Sequence, residues 1–309
     1  MTSSIALCIC TSGRPTELKR CLDSVALSLE GGGTALREVV VADDSEDPSV
    51  SVSVRAICDG FRFAAYAVGP RRGLCANRNF CIRQTSTSHI SLVDDDAVLM
   101  SAFLKQVSDL VRSRPEVIFT GDVLENGGRR VRPSNPRRLG HFGRPVHCSE
   151  VLRNVHLNCN VFPRAAFEDE QFDERLVYGY EDTDLCDRLV RRGWRIVYVP
   201  ELVNRHLPPA RREGEADERG WLAERERFAV VMQIARRDRG LLGGAVPMGL
   251  LAALHAGVSY PRWGAWSWLP SVPGWFVRGL RMSGPPVHSG RFGGGSAAPL
   301  RRGVERSTA

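Results

Sequence analysis

The chain of 309 residues is 43% hydrophobic and 25% charged, enough for a large packed domain with an appendage, and disorder is not the default at this composition. Its formal charge of +7 is lopsided: residues 1–208 hold 27 Lys and Arg against 27 Asp and Glu, so the basic excess lies wholly in the C-terminal third. That distribution argues against a nucleic-acid groove on the main domain, and no nucleic-acid partner is expected.

Nine cysteines, an odd number, stand at 8, 10, 21, 58, 75, 81, 148, 159 and 186 with no C-x-x-C pair, several of them inside apolar runs. They read as small buried hydrophobes of a reducing compartment, not zinc ligands or a disulfide frame. Met1-Thr2-Ser3-Ser4 supplies no basic segment ahead of the first apolar run, so no secretory signal is read there and a cytoplasmic location is expected.

Ile5 to Cys10 is a short apolar run that stops at Thr11-Ser12-Gly13-Arg14-Pro15 and gives way to Leu18, Cys21, Leu22 and Val25 at helical spacing, which predicts strand, loop and helix. Glu38 to Ala42 predicts a second buried strand ending in Asp43-Asp44-Ser45. A helix around Val54 to Cys58 and a strand from Phe61 to Val68 lead to Gly69-Pro70-Arg71-Arg72-Gly73, a basic loop entering a helix near Ile82. Backbone donors and guanidinium groups at a helix start suit an anionic phosphate.

His89 to Val93 then delivers three consecutive acids, Asp94, Asp95 and Asp96, before apolar residues resume. This is the pattern of a buried strand bringing acid to the carboxyl edge of a sheet, where ligands of open α/β sheets bind. Adjacent acids repel, so a cation or a dense set of donors must accompany them. On an extended backbone Asp94 and Asp96 point one way and Asp95 the other. The β-α-β-α-β-loop-α-β order predicts an α/β fold with a mainly parallel central sheet flanked by helices.

Phe103 to Val111 predicts a helix and Glu116 to Thr120 a strand, followed by a long irregular loop over 125–150 rich in Gly, Pro, Asn and Arg. Beyond Leu157 to Phe162 comes Gly179-Tyr180-Glu181-Asp182-Thr183-Asp184-Leu185, whose acids crowd the first turn of a helix ending near Gly193. The helix dipole accounts for one such acid, at roughly 0.3–1 kcal/mol, but poorly for four in seven residues. A final strand is expected over Trp194 to Pro200, with His206 after it.

From 216 to 239 a charged helix carries Trp221, Phe228, Val231 and Ile234 as a stripe suited to packing on the main domain. Residues 240–261 hold no charged residue, but five glycines and Pro247 argue against a stable spanning helix. Trp263, Trp266, Trp268, Trp275 and Phe276 then alternate with Arg262, Arg278 and Arg281. Two readings stay open for 240–282: contact with the surface of an anionic membrane, or an aromatic satellite core closing over the domain. The expected division is 1–208 catalytic, 209–282 helical extension and 283–309 disordered tail.

Taken together, residues 5 to about 206 resemble the family 2 inverting glycosyltransferases of the GT-A fold. No one motif is specific; the order and spacing are. The resemblance implies a nucleotide-sugar donor, a UDP-sugar first, and a hydroxyl acceptor that is a glycan, a lipid-linked molecule or a small molecule. It implies that Thr11, Arg14 and Asp43 hold the nucleoside, with Asp44 equally placed to read the base and Asp95 beside them. Arg78 would face the diphosphate and Asp94 the ribose or metal, while Asp96 and His206 would ligate Mn²⁺ or Mg²⁺. Inversion needs a carboxylate to take the acceptor's proton; Asp182 is the expected base, with Glu181 its rival or an acceptor-positioning group.

Two departures from the family pattern stand out: Glu46 follows Asp43-Asp44-Ser45 where a glycine is usual, and Asn158-Cys159-Asn160 replaces smaller residues on the acceptor side. The competing classes are a nucleotidyltransferase acting on sugar phosphates and a catalytically silent sugar-nucleotide-binding module. The first normally carries a glycine-rich, lysine-bearing loop after its first strand, whereas Thr11 to Pro15 has one glycine and no lysine. Lipid-linked acceptors would place the enzyme at the inner face of the plasma membrane.

Overall fold

A computed structural model describes residues 3–32, 34–145, 151–209, 215–282 and 284–289. Its N-terminal half alternates strand and helix: β1 (Ile5–Thr11), α1 (Pro15–Glu30), β2 (Leu36–Asp43), α2 (Pro48–Asp59), β3 (Ala64–Val68), α3 (Leu74–Arg83), β4 (His89–Asp94), β5 (Ala97–Leu99) and α4 (Phe103–Ser113). There follow β6 (Ile118–Leu124), β7 (Arg130–Val131), β8 (Ser134–Pro136), β9 (Phe142–Pro145), β10 (Asn160–Pro163), α5 (Arg164–Asp169), α6 (Glu181–Arg191) and β11 (Ile196–His206). Three helices follow: α7 (Glu215–Gly240), α8 (Val246–Arg262) and α9 (Val272–Arg281).

The main sheet runs β3-β2-β1-β4-β10-β6-β11-β5, with β7 on β6. Parallel pairing joins β3, β2, β1 and β4 and returns between β6 and β11. Between them β10 is antiparallel to both β4 and β6, because the chain reaches it by the return of a long excursion from β6 and not by a helical crossover. Side-chain alternation on β1 explains the layers. Ile5, Leu7 and Ile9 pack with Leu18, Leu22 and Val25 of α1 and with α4, while Cys8 and Cys10 face Ile82 of α3 and Leu185 and Leu189 of α6. Each such buried aliphatic side chain contributes roughly 1.5–3 kcal/mol.

Strand β11 extends well past the expected end at Pro200, reaching His206. Its register against β6 shifts between Tyr198 and Val203, so the proline, which has no N–H to donate, sits in the irregularity and not in the ladder. The expected irregular loop over 125–150 contains β7 and the small β8–β9 sheet; residues 146–150 lie outside the described residues. The eight described cysteines are all buried, and Cys148 lies outside the described residues.

Helix α7 packs its Phe228 and Met232 with Ala252, Ala256 and Tyr260 of α8 and Trp275 of α9, forming a third core. Its charges are not all solvated: Glu226 and Arg227 are fully buried, bonded to Arg278 and to Glu224 respectively. Trp263 and Trp266 stay exposed. By length and composition alone, the stretch 217–262 would suffice to cross a membrane. Of the expected tail only 284–289 is described, and there the backbone of Val287 exchanges hydrogen bonds with Glu174 and Asp173.

Candidate active site

Strand β4 ends at Asp94, and the chain turns at Asp95 and Asp96 before entering β5, which pairs with β11 on the far side of the sheet. The acids therefore sit where the two halves of the sheet meet. Alternation does not survive the turn, since it needs an extended backbone. Asp95 and Asp96 share one cation: Arg14 Nη1 lies 3.0 Å from Asp95 Oδ1 and 2.9 Å from Asp96 Oδ2. Asp94 instead accepts from Arg78 Nη2 at 2.8 Å. Thr11 Oγ1 donates to Asp95 Oδ2 at 2.7 Å, so the middle acid anchors the β1 loop. Burial pushes Asp95 up to about 7, which Arg14 and Thr11 only partly offset.

His206 arrives beside these acids through the β11–β5 register, which pairs it with Ala97. Asp96 Oδ1 is buried without a hydrogen-bond partner and lies 3.3 Å from His206 Nε2. Burial pulls the imidazole down, but Asp96 and Asp94 outweigh it and hold His206 above its ordinary value. Burial likewise pushes Asp96 up, and His206 with Arg14 outweighs it. Among the described residues no group of three or more His, Cys, Asp or Glu side chains gathers to hold a metal alone. The Asp96 oxygen and the His206 nitrogen could supply two ligands, a set that would suit a hard divalent cation taking its remaining oxygens from a bound phosphate and water.

Across the cleft, Gly179 and Tyr180 both take left-handed backbone conformations, φ 83° and 64°, immediately before α6. For tyrosine this is strained, and it sets Glu181 and Asp182 as the first two residues of the helix. Glu181 Oε1 accepts from Arg78 Nη1 at 2.6 Å, so one buried guanidinium ties the end of β4 to the start of α6. Asp182 Oδ1 accepts from the Thr183 N–H at 2.7 Å. Burial, then the neighbouring Glu181 charge, raises the Asp182 carboxyl well above the usual range.

Asp43 and Asp44 part company. Both Asp43 oxygens are engaged, Oδ1 by Ser45 and Oδ2 by Tyr66 Oη at 3.1 Å, and the residue does not line the cleft. Asp44 does, with its Oδ1 accepting from the Arg71 N–H at 2.7 Å. Gly69 is required here: a Cβ on it would stand 2.4 Å from Asp44 Oδ1 and 2.5 Å from Asn77 Oδ1.

Thr11, Arg14, Asp44, Arg78, all three acids of the triple run, Glu181 and His206 line one cleft of about 660 Å³. Asp43 and Asp182 are the site candidates outside its lining. Asn158, singled out above for the acceptor side, also lines the cleft. Asn158 Oδ1 accepts from the Asp94 N–H at 2.8 Å, while Asn160 bonds the N–H and carbonyl of Leu92, so the asparagine pair stitches β4 to β10. Glu218, Arg219 and Leu222 of α7 cover the cleft from the C-terminal extension, and only the tertiary fold brings them there.

A mixed sheet with paired acids and a histidine at the strand ends, facing an acidic helix start across one cleft, is the arrangement of the GT-A fold. The chain belongs to the family described as "Glycosyltransferase like family 2", whose profile matches residues 3–232. It is 28% identical over 233 residues to the succinoglycan biosynthesis protein ExoM of Rhizobium meliloti (strain 1021), covering 72% of each chain. In structure it is similar to S. aureus TarS 1–349, with TM-score 0.57 and 17% identity over 90% of this chain and 82% of that one. TarS 1–349 has also been solved with UDP-GlcNAc. The mannosyltransferase PcManGT from Pyrobaculum calidifontis, in complex with GDP-Man and Mn²⁺, aligns with TM-score 0.56 and 14% identity over 92% of this chain and 87% of that one. At these identities the two structures show the fold.

Proposed function

We propose that this sugar transferase draws on a nucleotide-sugar donor, a UDP-sugar first, and passes the sugar with inversion to a hydroxyl acceptor. One observation carries the reading: Asp94, Asp95, Asp96, Arg14, Arg78, Glu181 and His206, far apart in sequence, line a single cleft. The donors named for TarS and PcManGT support the choice of ligand.

Thr11, Arg14 and Asp44 hold the nucleoside, Asp44 in preference to Asp43 because Ser45 and Tyr66 already engage both Asp43 oxygens. Arg78 stands beside the diphosphate between Asp94 and Glu181. Asp96 and His206 hold a divalent cation, Mn²⁺ or Mg²⁺, which when bound offsets the charge that develops on the departing diphosphate. As the acceptor oxygen bonds to the anomeric carbon, the bond from that carbon to the diphosphate oxygen breaks and the hydroxyl proton passes to Asp182. Glu181 suits that task less well because Arg78 already holds it at 2.6 Å, whereas a raised Asp182 is matched to proton transfer near neutral pH. Glu181 positions the acceptor instead. The enzyme works in the cytoplasm, at the inner face of the plasma membrane, with α8 turned toward the lipid.

Turnover of a panel of nucleotide sugars, followed by nucleoside diphosphate release and by NMR of the product's anomeric carbon, tests this. We expect release from one donor class and an inverted product. Retained configuration, or no release from any nucleotide sugar, would overturn the reading.

A further inference from the structure

A second cavity of about 510 Å³ opens between the β8–β9 loop, α6 and the α7–α8 junction, and it shares no lining residue with the cleft of the acids. Its walls differ sharply in chemistry. Arg137, Arg138 and Arg153 line the cavity, with Arg239 at the end of α7, together with the apolar side chains of Val231, Ile234, Met248 and Leu251. The two acids in the lining are already taken, Asp187 by Arg191 and Arg237 and Asp238 by Arg191. Among the described residues no carboxylate pairs with the four cavity arginines.

The backbone that carries Arg137, Arg138 and Arg153 is anchored, while their side chains are exposed. Gly140 takes φ +85°, and a Cβ there would lie 2.6 Å from Val231 Cγ1, so the β8–β9 loop is seated directly on α7. Arg227 donates from that helix to the Leu139 carbonyl. Asn135 bonds the Val151 carbonyl and the Arg153 N–H at 2.8 and 2.7 Å, holding Arg153 alongside β8. Beyond Leu251, the apolar wall continues onto an exposed stripe of α8: Leu250 is 55%, Leu254 71% and Val258 55% exposed, one helical turn apart. From 239 to 304 the sequence contains no acid.

We propose that this cavity binds the diphosphate end of a lipid-linked molecule, whose apolar chain runs past Met248 and Leu251 onto the α8 stripe. Several unpaired guanidinium groups suit a head of two or three charges better than the single charge of a bulk phospholipid. An apolar wall that leads out to a solvent-facing stripe suits a chain longer than the cavity. The ligand's role rests on the sugar-transfer reading: Thr183 lines this cavity and donates its N–H to Asp182, so a sugar carried on that diphosphate is presented on the base's side of α6.

Calorimetry of the full chain with farnesyl diphosphate, in the presence of Mn²⁺ and saturating UDP, tests the binding. Inorganic pyrophosphate and phosphatidylglycerol vesicles are the comparison probes. Farnesyl diphosphate binds the wild type and Asp96→Ala alike, pyrophosphate binds about tenfold or more weakly, and Arg137→Gln/Arg138→Gln/Arg153→Gln loses about tenfold or more. Leu251→Gln, on the apolar wall, weakens farnesyl diphosphate but leaves pyrophosphate unchanged. Binding that UDP displaces, binding indifferent to the arginine substitutions, or binding to the vesicles without farnesyl diphosphate would each overturn the proposal. Failure of the sugar-transfer reading shows separately, as absence of nucleotide-sugar turnover in the wild type.

Discussion

Asp96 Oδ1 and His206 Nε2 stand 3.3 Å apart because antiparallel pairing sets His206 opposite Ala97, the residue after the acid turn. Neither position announces the other in the sequence. Replacing His206 by Ala removes one of two candidate ligands and leaves the buried Asp96 oxygen facing the cleft. We expect Mn²⁺-dependent UDP affinity to fall by at least the roughly 10–100-fold that even outer-shell partners cost, measured by calorimetry. Unchanged affinity would remove His206 from the metal site.

Asp182→Asn keeps the shape of the side chain and abolishes its basicity. We expect kcat to drop by about 10²–10⁴ with UDP affinity preserved. In the wild type the acid limb of the kcat profile should lie above the value near 3.9 of an ordinary aspartate, since burial and Glu181 raise this carboxyl and the base works only when ionised. Activity therefore falls as pH drops through the raised value. A limb at or below the ordinary value would assign the proton to another group.

Arg78 bridges Asp94 and Glu181, at 2.8 and 2.6 Å, and is almost wholly buried. Arg78→Met leaves Glu181 buried without its counter-charge and should destabilise the fold by roughly 3–5 kcal/mol in urea unfolding. Arg78→Lys should recover only part of that loss, because an ammonium cannot present two fixed donors to carboxylates on different elements. Full recovery by lysine would argue that charge alone matters here.

Asp184 links α6 to α7: it is fully buried and accepts from Arg188 Nε at 3.0 Å and Arg237 Nη2 at 2.6 Å. Burial pushes its carboxyl up, but the two arginines outweigh it and hold it below the ordinary value. Folded Asp184 thus releases its proton more readily than the unfolded chain does. Its contribution is present above about pH 4 and fades as pH falls through the lowered folded value. Asp184→Asn should cost roughly 3–5 kcal/mol at neutral pH, and progressively less in strong acid. An equal loss at every pH would contradict an ionic role.

Much of this was legible from local pattern. Short apolar runs ending in acid mark β2 and β4, and Glu181 and Asp182 stand out as excess charge at a helix start. What escaped depends on geometry that sequence does not carry. The turn at Asp95 redirects side chains that alternation would have separated, so Asp95 and Asp96 share Arg14. The choice between Asp43 and Asp44 waits on Tyr66, a β3 residue whose hydroxyl claims the first. Similarly, Trp263 and Trp275 are equivalent in a one-dimensional reading; packing exposes the first and buries the second.

Isothermal titration of UDP into the full chain, with Mn²⁺ and then with a chelator, for wild type and Asp96→Ala, bears most directly on the cleft. The account predicts that wild-type binding needs the metal and that Asp96→Ala binds UDP equally weakly with or without it. Tight, metal-independent binding shared by both proteins would contradict it.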